Sequence, residues 1–143
     1  MNYTLKPFRI DSYDDVLALW QQSEGLGLSG ADSRESIHSY LERNPGMSFV
    51  ALSTEGTVTG AILCGHDGRR GYIHHLSVHQ NFRRKGIAST LVHTCMHKLK
   101  NIGIQKCHIF IFNDNVSGIE FWESIGWVQR EDISVISKNI KQG

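Results

Sequence analysis

The hydrophobic pattern of this chain changes its period near the middle, at Gly86. The segment from Tyr72 to His79 is predicted to be a β-strand, because its residues 75–79 alternate between polar and apolar. After Gly86, apolar residues recur at every fourth position and predict one face of a long α-helix that ends at Gly103. These apolar residues are Ile87, Leu91, Cys95 and Leu99. A strand, a turn and a long helix in this order indicate an α/β domain.

Strands and helices are also predicted on both sides of this unit. Pro7 favours an edge position for the first strand, because proline cannot donate to a strand ladder. Ser12 with Asp15 predicts a capping box at the first helix start. The predicted strands are residues 3–10, 49–53, 58–64, 72–79, 107–112 and one or two within 127–140, and the predicted helices begin near residues 12, 32, 87 and 116. Strand 107–112 is mostly apolar and is expected to be buried on both faces.

This order of elements predicts one α/β domain over residues 1–143. We expect a mixed sheet of six to seven strands that is flanked by about four helices. A chain of 143 residues is long enough to bury a core without disulfides or a metal.

Composition excludes several classes of function. The net charge is +1 with histidine neutral, so no broad basic surface is expected to bind nucleic acid or a membrane. The three cysteines are widely spaced, which favours free thiols in a reducing, cytoplasmic compartment. His93 and His97 lie four residues apart on the long helix, but no third ligand accompanies them, so no metal is expected.

The turn before the long helix combines three cations with one glycine. Arg83, Arg84 and Lys85 precede Gly86, where the backbone can approach a ligand closely. The first turn of a helix also offers unpaired N–H groups to an anion. The segment matches neither GxxxxGK[ST] nor GxGxxG. Taken alone, it is either a seat for a pyrophosphate or a solvated basic turn.

Three segments together resemble the GNAT superfamily of acyl-CoA-dependent N-acetyltransferases. Residues 83–88 read Arg-Arg-Lys-Gly-Ile-Ala and match the signature [QR]xxGx[GA] of that family. Residues 76–78, Leu-Ser-Val, match its L-x-V strand end, and the segment from Asn115 to Trp127 is similar to its N…(F)YEKLGF segment. The resemblance implies the GNAT fold over essentially the whole chain.

The resemblance also implies acetyl-CoA as cosubstrate and a set of residues that bind it. Backbone amides from Arg84 to Ser89 are expected to bind the pyrophosphate. The strand end at Leu76 and Val78 is expected to pair with the pantetheine arm, and Asn115 to reach that arm from the other side. The expected cofactor-binding residues are Leu76, Ser77, Val78, Arg83, Arg84, Lys85, Gly86, Ile87, Ala88, Ser89, Asn115 and Trp122.

A base must remove a proton from the acceptor ammonium before it can attack a thioester. Strand alternation places Tyr72, His74 and Leu76 on one face, which is the catalytic face if pantetheine lies beside Leu76. His74 and Tyr72 are therefore the catalytic candidates. His75 is expected on the opposite face with Ser77, unless a bulge swaps the faces. Because other members of the family use a glutamate or water, Glu24 and Glu35 remain alternatives.

Trp122 stands where many members of the family have a tyrosine that protonates the departing thiolate. An indole N–H is a donor without usable acidity, so the usual general acid is absent. This departure leaves two further functions open, a non-catalytic acyl-CoA sensor and the same fold with another acyl-CoA donor.

The acceptor is expected to be a primary amine on a small molecule or a protein. In this family the region between the first two helices usually borders the acceptor site, which makes Leu26 and Leu28 candidate substrate contacts. The resemblance also implies a homodimer.

Overall fold

The structure is a computed structural model that describes residues 2–23 and 25–141. Five strands and four α-helices form within these ranges. The strands are β1 (Tyr3–Pro7), β2 (Phe49–Ser53), β3 (Val58–His66), β4 (Gly71–Val78) and β5 (Cys107–Ile109), and the helices are α1 (Tyr13–Gln21), α2 (Arg34–Arg43), α3 (Ile87–Asn101) and α4 (Val116–Ser124). No helix in these ranges combines the length and the hydropathy that a membrane span needs. The chain divides into two compact units, residues 1–110 and residues 111–143.

The first unit contains one mixed sheet in the order β1-β2-β3-β4-β5. Neighbouring strands are antiparallel from β1 to β4, and β5 joins β4 in parallel. Pro7 lies on edge strand β1, as its missing N–H predicts. The hairpin between β2 and β3 turns at Gly56, whose φ of 83° favours glycine.

The two faces of the sheet pack against different helices. The α1 and α2 face buries a cluster of Phe8, Tyr13, Val16, Leu19, Trp20, Ile37, Val50, Ala61 and Leu63. Helix α3 covers the other face. It buries the predicted apolar residues Ile87, Leu91, Cys95 and Leu99, and also Val92. Its close approach needs two glycines, because a Cβ at Gly60 would lie 3.0 Å from Ile87 and one at Gly71 would lie 2.6 Å from Leu99.

A bulge interrupts the ladder between β3 and β4. Ala61 pairs with Ser77 and Leu63 pairs with His74, so that Ile62 opposes both His75 and Leu76. The backbone of His75 has a φ of 53°, which is uncommon for a residue other than glycine. The extra residue shifts the alternation of side chains for the rest of the strand.

The second unit contains helix α4. Helix α4 begins where the Asn115 side chain accepts a hydrogen bond from the N–H of Gly118 at 3.0 Å. Gly126 follows the helix with a φ of 95°. Trp122 is buried and packs on Trp127, with ring centroids 4.5 Å apart. The start of this helix agrees with the sequence prediction.

The sheet has fewer strands than expected. Pairing of β5 stops at Ile109, and Phe110 and Phe112 are 65% and 57% exposed, so the prediction of a strand at 107–112 buried on both faces is wrong. Residues 127–140 contain no strand, which also corrects the prediction. An apolar run predicts burial, but a strand forms only where a partner satisfies its backbone groups.

The expected capping box at the start of α1 is also absent. Residues Ile10–Ser12 form a 3-10 turn that continues into the helix, and the Ser12 side chain makes no capping bond. A capping box is present instead at Ser29 and Asp32, ahead of α2. Both segments carry the same sequence signature, and of these two only the one ahead of α2 forms a capping box.

Gly65 gives a test of packing between α2 and the sheet. A Cβ at this position would lie 2.5 Å from the Tyr40 hydroxyl and 2.7 Å from the Asn44 side chain. We expect Gly65→Ala to lower the free energy of unfolding by about 1–3 kcal/mol through overpacking. Gly30→Ala is the matched control, because no atom lies within 4 Å of its added Cβ. Denaturant unfolding of both variants measures the difference, and equal stabilities would contradict this packing.

Candidate functional site

The basic turn leaves a row of backbone donors unpaired. Within the described residues, the N–H groups from Arg84 to Ser89 have no hydrogen-bond acceptor. The next N–H group along the chain, that of Thr90, donates to the carbonyl of Gly86 at 3.0 Å. Arg84 and Gly86 both have positive φ, 63° and 80°. These two residues turn the chain into α3. The row of unpaired N–H groups therefore runs through the basic turn and ends in the first turn of the helix.

The surroundings of this row fit a diphosphate. No atom lies within 4 Å of a Cβ built on Gly86, so the space beside the turn is open. The helix dipole of α3 adds partial positive charge. Arg83 is held by a bond from its Nε to the carbonyl of Val78 at 3.2 Å, and the Lys85 ammonium lies 5.4 Å from the Phe82 ring centroid. The donors and cations that the resemblance assigns to a pyrophosphate are thus present together.

Strand β4 has an open edge beyond Ile73. Its pairs with β5 are limited to Gly71, Tyr72 and Ile73, while β3 continues alongside to Val78. Among the described strands, residues 74–78, which include Leu76, Ser77 and Val78, therefore have no partner on the β5 side. An extended ligand can hydrogen-bond to such an edge as an added strand. The role of this edge in binding a pantetheine arm stays a prediction.

The bulge changes which side chains of β4 share a face. Tyr72 and His74 point to the α1 and α2 side, as predicted, since they pair with Gly65 and Leu63. Ser77 was expected on the opposite face, but its hydroxyl hydrogen-bonds to the Ser23 hydroxyl at the end of α1. His75 also reaches this side, because the extra residue in the bulge reverses the alternation. The prediction that His75 and Ser77 point away is wrong.

His75 forms a polar pair with a carboxylate from the loop before α2. Its Nε2 lies 2.7 Å from Oδ1 of Asp32, and both side chains are largely buried, with 16% and 10% exposed. The other carboxylate oxygen of Asp32 accepts the N–H of Ser29 at 3.0 Å. Tyr13 donates its hydroxyl hydrogen to the Asp32 carbonyl at 2.6 Å. The Trp20 ring packs on the imidazole, with centroids 5.1 Å apart.

His74 lies beside this pair and packs edge-on against Tyr40, with ring centroids 5.8 Å apart. Burial lowers the pKa of His74, and the charge of the adjacent His75 lowers it further. The Asp32 carboxylate acts in the opposite direction and raises that pKa. The net effect favours a neutral imidazole, which is the form that accepts a proton. Tyr72 contacts the ring of His108 on β5, with centroids 5.8 Å apart.

The other predicted residues are less closely grouped. Leu26 is half-buried against the α1 and α2 cluster, whereas Leu28 is 38% exposed on the same loop. Glu35 is exposed in the first turn of α2, and Glu24 lies outside the described residues. Asn115 and Trp122 belong to the second unit, so their roles at a cofactor stay predictions. No group of three metal-ligating side chains occurs in the described ranges.

Asp32 is the functional side chain that the sequence did not identify. The sequence around Asp32 predicts the start of a helix. Ser29, three residues before it, predicts a capping interaction within the same turn and no contact with a distant residue. The partner His75 is 43 residues away. Only knowledge of the bulge, which turns His75 toward α2, would have brought the two together.

The titration of His74 tests the electrostatics of this cluster. We expect its ring to titrate below the value of about 6.5 for an unperturbed histidine. Asp32→Asn should lower the pKa of His74 further, because it removes the carboxylate that raises it. Because the unfolded chain takes up this proton at higher pH, acidification below about pH 6.5 should destabilise the fold. NMR of the ring protons measures the pKa, and Asp67→Asn in the β3–β4 turn is the control. A pKa that rises in Asp32→Asn would contradict the assignment.

This chain is similar to known proteins over most of its length. The model of the Acetyltransferase (GNAT) family matches residues 13–127. An acetyltransferase of Photorhabdus laumondii subsp. laumondii is 33% identical over 132 residues, which are 92% of this chain and 91% of the relative. An acetyltransferase of Sodalis glossinidius is 29% identical over 136 residues, which are 95% of this chain and 94% of the relative.

Solved structures share the fold. Ard1 of Thermoplasma volcanium superposes with a TM-score of 0.79 at 20% identity, over 90% of this chain and 84% of that chain. The PaiA N-acetyltransferase of Thermoplasma acidophilum, solved in complex with coenzyme A, superposes with a TM-score of 0.78 at 17% identity, over 88% of this chain and 89% of that chain. The fold implied by the sequence motifs is confirmed, with five described strands in place of six or seven.

Proposed function

The chain belongs to the GNAT family of acetyltransferases, and from this premise we propose that it transfers an acetyl group from acetyl-CoA to a primary amine by direct attack in a ternary complex. The family assignment makes the protein an acyl-CoA-dependent N-acetyltransferase. The acetyl donor, the acceptor class and the residues below are our proposal. The observation that carries it is the unpaired row of N–H groups from Arg84 to Ser89 beside the open edge of β4.

Each part of this site has a task in binding the donor. The amides from Arg84 to Ser89 bind the pyrophosphate, and the cations of Arg83, Arg84 and Lys85 neutralise it. The edge of β4 from Leu76 to Val78 hydrogen-bonds to the pantetheine arm. When bound, the donor supplies an activated acyl group as a thioester. The chain holds its carbonyl close to a backbone N–H of β4, which stabilises the developing oxyanion.

The α1 and α2 side of β4 receives the amine. His74 accepts the proton of the ammonium group, because its lowered pKa keeps the imidazole neutral near pH 7. Tyr72 lies two residues before it on the same face and orients the acceptor. Leu26 and Leu28, on the loop between α1 and α2, contact an apolar part of the acceptor. The acceptor is a small molecule or a protein, and a homodimer remains an expectation from the family.

Trp122 favours a second candidate function, an acyl-CoA sensor without turnover. Its indole packs on Trp127 and has no acidic proton to give to a thiolate. A thiol of pKa about 8.5 is nevertheless a tolerable leaving group, so a missing acid does not abolish transfer. Calorimetric titration with acetyl-CoA, followed by a thiol-release assay over primary amines and peptides, separates the two functions. Binding with release supports the enzyme, and binding without release on any acceptor supports the sensor. Succinyl-CoA in the same assay tests another donor.

Gly86→Trp tests the pyrophosphate seat. The indole would occupy the open space beside the turn, so we expect acetyl-CoA affinity to fall by about 100-fold or more, as the phosphate contacts are lost. Gly103→Trp is the matched control, because this glycine lies at the other end of α3 with a similar φ of 86° and equal open space. Calorimetry measures both affinities. If Gly86→Trp binds as tightly as Gly103→Trp, the seat is elsewhere.

His74→Gln tests the proton acceptor. We expect kcat to fall by about 100-fold, the effect typical of removing a general base. Affinity for acetyl-CoA should be kept, and the decline of the rate on acidification through the His74 pKa should disappear. His38→Gln is the control, since this histidine is exposed on α2. A pH–rate profile identical to that of the unmodified chain would remove His74 from the mechanism.

A further inference from the structure

Among the described strands, neither neighbour of β4 pairs with the two residues of its bulge. The pairs with β3 pass from His74 directly to Ser77, and those with β5 end at Ile73. His75 and Leu76 therefore have no ladder partner. A residue with a φ of 53° that no ladder fixes would relax toward negative φ unless its surroundings hold it. The conformation of this short segment must be set by side chains.

Two contacts of His75 supply that restraint. The hydrogen bond from Nε2 to Asp32 is 2.7 Å long, and the Trp20 ring, itself 1% exposed, covers the imidazole. Asp32 is fixed in turn through its capping bond with Ser29 and through the Tyr13 hydroxyl. The chain of contacts runs from the buried start of α1 to the bulge.

We propose that Asp32 and His75 are a positioning pair, which holds the bulge so that the backbone N–H groups of His75 and Leu76 can reach the thioester carbonyl. The inference rests on the proposed function, since it assumes an acyl-CoA along the open edge of β4. The pair touches neither the donor nor the reacting atoms in this role. It acts through the backbone of β4, at the two residues that follow the point where β5 leaves.

The pair also ties the loop between α1 and α2 to the strand. Asp32 ends the 3-10 turn Gly30–Asp32, so its bond to His75 fixes where the loop of Leu26 and Leu28 meets β4. Donor and acceptor regions are thus held by one interaction. Loss of this interaction should slow the chemical step more than it weakens donor binding.

Amide NMR with two ligands tests the pair without a known acceptor. Coenzyme A and acetyl-CoA differ only in the acyl group, so the difference between their effects on each amide locates the thioester carbonyl. In the unmodified chain, we expect amides 84–89 to respond equally to both ligands, and those of His75 and Leu76 to shift further with acetyl-CoA than with coenzyme A. In Asp32→Asn and His75→Ala, the acetyl-specific response at Leu76 should be lost, while amides 84–89 still respond.

His75→Gly separates the backbone from the side chain. Glycine adopts positive φ without strain, so it should keep more of the acetyl-specific response than alanine does. Asp67→Asn is the matched control, because Asp67 also accepts backbone N–H bonds, at 2.8 Å from Arg69 and from Arg70, in the β3–β4 turn. With an acceptor from the thiol-release assay, we expect Asp32→Asn to lower kcat by about 100-fold with KM for acetyl-CoA unchanged. Thermal unfolding of each variant confirms that it is folded.

The outcomes distinguish this proposal from the one it rests on. If amides 84–89 of the unmodified chain do not respond to coenzyme A, the proposed function fails and the positioning role fails with it. If they respond, but Leu76 keeps its full acetyl-specific response in folded Asp32→Asn and His75→Ala, the positioning pair alone is overturned. Equal loss in His75→Gly and His75→Ala would contradict a role through the backbone conformation.

Discussion

The departure of β5 from β4 after Ile73 is the constraint on which the site depends. A buried strand must satisfy its N–H and C=O groups, and β4 loses the parallel partner that would do so for residues 74–78. An extended polar ligand can bind to such an edge as an added strand. The same strand leads through a basic turn into α3, and in the described residues the N–H groups of that turn and of the helix start are unpaired. The open edge and the unpaired amides therefore lie on one continuous stretch of chain.

Backbone strain on this path is balanced by nearby contacts. A non-glycine residue in the left-handed region costs about 1–2 kcal/mol, and both His75 and Arg84 are there. A hydrogen bond to a charged group contributes about 1.5–3 kcal/mol, so the bond between His75 and Asp32 is large enough to hold the bulge. Arg84 has no comparable bond in the described residues. Its turn is held instead by Arg83, which bonds back to Val78, and by the start of α3.

Local patterns predicted the elements, and distant contacts decided the site. The stripe of α3 followed from its period, and the edge strand with Pro7 followed from a missing donor. The motif at residues 83–88 located the unpaired amides. The faces of β4 could not be predicted, because a bulge depends on register with β3 and leaves no mark in the period of a short strand. The exposed Phe112 shows the same limit, since composition predicts burial but does not predict pairing.

In the proposed mechanism, His74, His75 and Asp32 together meet two requirements that conflict in most surroundings. A proton acceptor must be neutral, which burial favours, and a strained backbone needs a strong polar restraint, which burial normally penalises. Here the carboxylate of Asp32 is paired with His75, so it is buried with its hydrogen bonds made. His74 stays one residue away and makes no ion pair in the described residues, so burial still lowers its pKa. Exchanging the two neighbours would place the carboxylate on the proposed proton acceptor and occupy its Nε2. The order of the two histidines along the bulge is therefore part of the chemistry.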